Sequence, residues 1–279
     1  MKSSGIFWPA VGELWQRRGT ALRVIWLPFL ISALTYEIYY RLQPDGYGFL
    51  PAILDFWVFS WAAVGWHRAA LLEETPGPVG TRHRGPVTRY ATGWFLAVCG
   101  AAIVALGVGV LLLWIIGLVK GFVSASPDLG LAPYEPELSF PFSLLSGPES
   151  LLALLPVAWV LIFVFFNLAK SLPAVAIEQE DQVAPQARAA RRRWFASAAA
   201  WSLLLWLPVV AVFFVAFLAI DTAAWELGQE APPRGWLSVL DFALSAVYAL
   251  NVLIGASVLT LAYRRTALQP SSAGEAGAP

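Results

Sequence analysis

The sequence predicts an all-α polytopic membrane protein: six transmembrane helices in one bundle of three helical hairpins, plus an N-terminal interfacial amphipathic helix. Three observations carry that expectation. The 279 residues are 58% hydrophobic and 13% charged, against about 45–50% and about 25% in soluble domains, and the mean hydropathy is +0.66. Six apolar runs each approach or exceed the ~20 residues that cross ~30 Å of hydrocarbon. With those runs as spans, all but Arg41, Lys120 and Arg234 of the 18 Lys and Arg fall on the side that holds both termini, which the positive-inside rule makes cytoplasmic.

The chain divides into an interfacial segment (1–20), a six-helix domain (21–265) and a tail (266–279). In residues 5–18, Phe7, Trp8, Val11, Leu14 and Trp15 recur at helical spacing, so a short helix is expected with its apolar face in the membrane interface or packed on the bundle. No cleavable signal is read at the N-terminus, because the first long apolar run begins near Leu22, behind Arg17 and Arg18. Span one covers about 21–40, with Pro28 inside it and Tyr36, Tyr39 and Tyr40 at its far end. After a tight outer turn, span two covers 49–72 and ends in Trp66-His67-Arg68. A Pro/Gly loop with Arg82, Arg84 and Arg89 leads to span three, 93–119.

In span three, Gly93, Ala97, Ala101, Ala105 and Gly109 place a small residue at every fourth position. Such a stripe allows a helix to approach closely, within the bundle or by self-association. The longest loop, 120–150, could rest Phe140, Phe142 and Leu144 on the outer interface. Span four, 151–170, is followed by a second short apolar segment, Leu172–Ile177. Then come an acidic cluster (Glu178, Glu180, Asp181) and a basic one (Arg188, Arg191, Arg192, Arg193). Span five covers 195–220 and span six 236–263, stopped by Arg264 and Arg265. The tail 266–279 has the composition of a disordered segment. Short internal matches, AALLEE (69–74) with AVAIEQ (174–179) and Trp26-Leu27-Pro28 with Trp206-Leu207-Pro208, hint at repeated hairpins.

Candidate sites are sparse. Asn167, Lys170 and Asn251 fall within or near the ends of spans, where polar groups are costly and either tie helices together or line a path. Glu37, Asp55, Asp221 and Asp241 fall at outer span ends; solvated positions account for them, an acidic vestibule being the other reading. Arg191, Arg192 and Arg193 could contact anionic lipid headgroups. His67-Arg68 is expected to anchor the inner interface. With two histidines, one cysteine (Cys99) and no HExxH-type spacing, no metal site is expected. No nucleophile elbow or phosphate-cradling loop is present, so neither enzymatic activity nor a cofactor is expected. Zero net charge, with basic residues spread over separate segments, excludes a nucleic-acid partner. The lipid bilayer is the expected one, with other membrane proteins or a second copy beside it.

Leu172-Pro173-Ala174-Val175-Ala176-Ile177-Glu178, followed by Arg191-Arg192-Arg193-Trp194, resembles the central signature of six-helix bacterial inner-membrane proteins. These are similar to YciC and to the membrane domain attached to some glycerophosphodiester phosphodiesterases. The opening Phe7…Glu13-Leu14-Trp15-Gln16-Arg17-Arg18 and Trp66-His67-Arg68…Glu73-Glu74 are similar to segments of the same group. The resemblance implies a multi-pass inner-membrane protein. Without a soluble phosphodiesterase domain, that activity is not inherited. The expected function is a non-enzymatic scaffolding or envelope-maintenance role; the alternative is a small transporter or lipid-handling permease with a polar site at Asn167, Lys170 and Asn251.

Overall fold

The structure, a computed structural model, describes residues 5–42, 49–76, 84–124, 148–181, 185–226 and 234–268. The regular elements among the described residues are all helical. In chain order they are α1 (Phe7–Gln16), α2 (Arg18–Leu42), α3 (Phe49–Leu71), α4 (Arg84–Ser124) and α5 (Pro148–Leu168), which passes through a 3-10 turn (Ala169–Ser171) into α6 (Leu172–Ala176). Then follow α7 (Pro185–Glu226) and α8 (Arg234–Tyr263), the latter closing in a π turn (Arg264–Leu268). The expected resting place of Phe140, Phe142 and Leu144 lies outside the described residues. Thr266 and Ala267 belong to the closing turn, so helical structure runs past the expected start of the tail at 266.

Among the described residues, five segments are long and apolar enough to cross a membrane: Arg18–Tyr39, Arg84–Leu118, Leu154–Ala176, Ala187–Ile220 and Ser238–Ala267. The expectation of six spans includes α3, which has 23 residues but carries Asp55, His67 and Arg68 and is not one of the five. Its position explains its composition. It packs on α2, α4, α6 and α8, and Val58, Phe59, Ala62, Ala63, Val64 and Trp66 are all buried. Its first turns expose Ile53, Leu54 and Trp57, but the later turns are enclosed by protein, so the polar residues there need protein partners and not hydrocarbon-compatible chemistry.

Helices consecutive in the chain pack together in α2–α3 and α4–α5, as two hairpins require, but the third pair is looser. α7 lies chiefly on α5, and α8 on α1, α2 and α3. Packing is concentrated at one end. Buried side chains cluster in α1, the last turns of α3, the first turns of α4, α6 and the last turns of α8. Toward the other end α4 and α7 present Leu106, Val110, Leu111, Val210, Phe214 and Val215 outward, as a lipid-facing surface would.

The small-residue stripe is spent within the chain. Ala97, Ala101 and Ala105 are buried. A Cβ on Gly93 would stand 3.0 Å from Leu172, and one on Gly109 3.5 Å from Val157. The stripe therefore admits α5 and α6 of the same chain, which leaves little of it for a second copy.

α1 differs from the single apolar face expected of it. Ile6, Phe7, Ala10 and Leu14 are buried against the bundle, whereas Trp8 and Trp15 are exposed. Trp8 meets Trp201 edge-on at 5.4 Å, and Arg18 stacks on Trp15.

The matched segments at 69–74 and 174–179 share a backbone feature. Glu73 and Glu178 both adopt left-handed φ, 56° and 59°, a conformation in which a side chain costs about 1–2 kcal/mol. At α6 the Gln179 N–H donates to the Ala174 carbonyl (3.0 Å) and the Glu178 N–H to Val175 (3.3 Å). This is a Schellman ending with glutamate where glycine is usual.

Candidate functional site

Three polar constructions lie in or beside the core. The first closes the arginine-rich end. A helix leaves its last carbonyls without intrahelical donors, and here arginines from other elements supply them. Arg68 donates to the Ala176 carbonyl of α6 (3.0 Å) and bidentately to Glu74 (2.8 and 2.7 Å). Arg264 donates to the Ala70 carbonyl of α3 (2.7 Å) and bidentately to Glu13 of α1 (3.2 and 2.9 Å). Arg17 reaches the Ala69 carbonyl (3.3 Å). Glu178 lies 3.7 Å from Arg89 and 4.0 Å from Arg68. The planar guanidinium fork suits this double duty, and Lys would not reproduce it.

Arg191 is the most enclosed member, 3% exposed. It donates to both oxygens of Asp181 (3.1 and 3.2 Å) and to Thr266 (2.7 Å), and lies over the Tyr263 ring. Its donors are thus engaged inside the protein, and the expected lipid contact at Arg191 does not hold. Arg192 and Arg193 stay on the surface.

The second construction is a buried His67 bridging three helices. Its Nδ1 is 2.7 Å from Thr260 Oγ1 on α8, and its Nε2 is 3.0 Å from the Tyr90 hydroxyl on α4. Thr260 gives its only proton to the Ala256 carbonyl (2.8 Å), so Oγ1 must accept from Nδ1–H. Nε2 of the neutral ring then accepts from the Tyr90 O–H. His67 is a tie inside the core. With Arg68 held by Glu74 and Ala176, the expected interfacial anchor is replaced by an internal one.

The third is a cavity of about 400 Å³ between α3, α4, α5, α7 and α8, next to the His67 tie. Phe56, Trp94, Phe166, Trp206, Tyr248 and Leu259 give it apolar walls, and Ser202 and Asn251 add polar groups. Trp206 Nε1 is buried without a hydrogen-bond partner among the described residues. Pockets of about 300–1,000 Å³, mostly apolar with a few placed polar groups, are the usual form of a small-ligand site.

The three polar residues singled out from the sequence do not converge there. Asn251 lines the cavity. Asn167 donates to the Phe163 carbonyl of its own helix (2.8 Å), and Lys170 is exposed at the arginine-rich end. Ser202, Trp206 and Tyr248 were not singled out. Their sequence signal is faint, one hydroxyl and two amphipathic rings within apolar runs. Among the described residues, no three His, Cys, Asp or Glu side chains are grouped as metal ligands.

No protein-family model, no curated protein and no solved structure matches the chain.

The arginine construction makes an ordered expectation for neighbouring residues. Arg191→Ala leaves Asp181 facing an emptied, enclosed site and should destabilise the purified protein by about 3–5 kcal/mol. Arg192→Ala, on the surface, should stay within about 0.5 kcal/mol. Unfolding of both variants in one detergent compares them, and equal losses would contradict the assignment.

Proposed function

We propose that this chain is a six-span integral protein of a bacterial inner membrane, both termini cytoplasmic, that holds an amphipathic molecule in its bundle as a lipid-handling protein without enzymatic activity of its own. The apolar cavity carries this reading. Four of the helices around it, α4, α5, α7 and α8, are long and apolar enough to cross a membrane, its walls are aromatic and aliphatic, and Asn251, Ser202 and the unpartnered Trp206 Nε1 offer a few polar contacts. That pattern suits a molecule with a long apolar part and a small polar group. The segregation of Lys and Arg supports the orientation, and the likeness to the YciC group supports six spans, α3 included.

Scaffolding or envelope maintenance is the second reading. One observation favours it: over 203–220 of α7 no residue whose burial is described is buried, leaving a long surface for lipid or for another membrane protein.

Gly255 separates the two readings. It lines the cavity, and a Cβ there meets nothing within 4 Å, so Gly255→Leu starts its side chain in open space and takes up cavity volume. Native mass spectrometry of the purified protein with added lysophospholipid should show bound amphiphile in the wild type and a several-fold loss in Gly255→Leu. A scaffold would retain none in either form, and equal retention in both would place the amphiphile elsewhere. For the orientation, single cysteines introduced at Lys2 and Ala278 in a Cys99→Ala background should react with a membrane-impermeant maleimide only after the cells are opened. Labelling of intact spheroplasts would reverse the topology.

A further inference from the structure

A second pocket, of about 360 Å³, lies between α2, α3 and α8 near the end opposite the arginines. It is lined by Tyr36, Asp55, Phe56, Asp241, Ser245 and Tyr248 among others. Asp55 and Asp241 therefore share one concavity, although they are 186 positions apart in sequence. Nearby, Glu37 is compensated, accepting from Arg41 (2.6 Å) and from Ser238 of α8 (2.7 Å). No ion pair involves Asp55 or Asp241 among the described residues.

Asp55 is the informative member. It is 7% exposed, so the solvated position expected of it does not hold. Its Oδ1 is buried without a hydrogen-bond partner among the described residues. The Ser32 and Tyr36 hydroxyls of α2 both lie against the same carboxylate, Ser32 being 1% exposed, and neither satisfies Oδ1. A buried carboxylate oxygen left without a donor is costly, and here it belongs to a residue that lines a pocket with a second carboxylate. The pocket asks for a positively charged donor.

Size and lining decide which kind. The volume far exceeds one dehydrated metal ion, and no three-ligand acidic or His/Cys group is present among the described residues. The walls are instead the rings of Tyr36, Phe56 and Tyr248 beside two carboxylates. Aromatic faces with an adjacent acid are the usual recognition surface for ammonium groups, the ring quadrupole attracting the cation and the carboxylate accepting its N–H. We propose that Asp55 and Asp241, walled by Tyr36, Phe56 and Tyr248, form a binding site for an organic ammonium ion. Phe56 and Tyr248 also line the apolar cavity, so the two spaces are neighbours, but the ammonium site stands without the lipid-handling reading.

The test is calorimetric titration of the purified full chain in nanodiscs of zwitterionic lipid, with n-butylammonium chloride as probe and sodium and calcium chloride as parallel titrants. The expected result is saturable butylammonium binding, weakened at least tenfold by Asp55→Asn and by Asp241→Asn and unchanged by Glu73→Gln, an exposed acid at the opposite end. Asp241 is only half-buried, so its variant keeps the test open if Asp55→Asn fails to fold. Absence of saturable butylammonium binding to the folded wild type overturns the proposal. So does binding that Asp241→Asn leaves unchanged, or saturation by calcium alone.

Discussion

Helix ends that stop inside protein set the terms for this molecule. α3 and α6 finish within the packed end of the bundle, where water is scarce and an unmet carbonyl is expensive. Arg17, Arg68 and Arg264 meet that demand from outside each helix while pairing with Glu13 or Glu74. A cation at a helix C-terminus is also favoured by the helix dipole. The result joins α1, α3, α6 and α8 through groups that cannot be exchanged singly, because removing one partner strands another. It also helps keep Glu73 and Glu178 left-handed, since the chain must turn sharply at both places to bring Glu74 back to Arg68 and Asp181 to Arg191.

Packing is concentrated at this closed end. α4 and α7 run roughly 60 Å at about 1.5 Å per residue, well beyond the packed region, where Leu106, Val110, Val210 and Phe214 face outward. The cavity and the acidic pocket are neighbours that share Phe56 and Tyr248 in their walls. α3 borders both. Its polar side chains, which lower its membrane-crossing character, are partly structural (His67, Arg68) and partly the lining of a pocket (Asp55).

The helix pattern was legible in the sequence because apolar runs of bilayer length have few other uses. The boundaries expected for α2 and α3 fall within a few residues of those found, and the break after Lys170 marks the separate α6. The match of 69–74 with 174–179 located two equivalent left-handed helix ends, although apolar similarity is weak evidence by itself. Partners were not legible. In a helix apolar on every side, periodicity cannot say which face meets protein and which meets lipid. Asn167 was therefore indistinguishable from an inward-facing residue, although its amide bonds its own helix. Asp55 read as a solvated end, and the Arg191–Arg193 run as one surface patch, because depth depends on neighbours far away in sequence. α1 misled for a related reason. Trp8 sits beside Phe7, and Trp15 beside Leu14, but 100° per residue carries each ring away from the buried stripe.

The closure of the arginine-rich end is tested most directly by a double-mutant cycle on Arg264 and Glu13, the pair that fastens α1 to the end of α8. Reversible unfolding in mixed micelles would be measured for the wild type, Arg264→Ala, Glu13→Ala and the double variant. If the clamp holds the bundle, the two losses are coupled by about 1–3 kcal/mol, as for residues in one network. Additive losses, within about 0.5 kcal/mol, would mean that the pair is a surface ornament and that apolar packing alone closes this end.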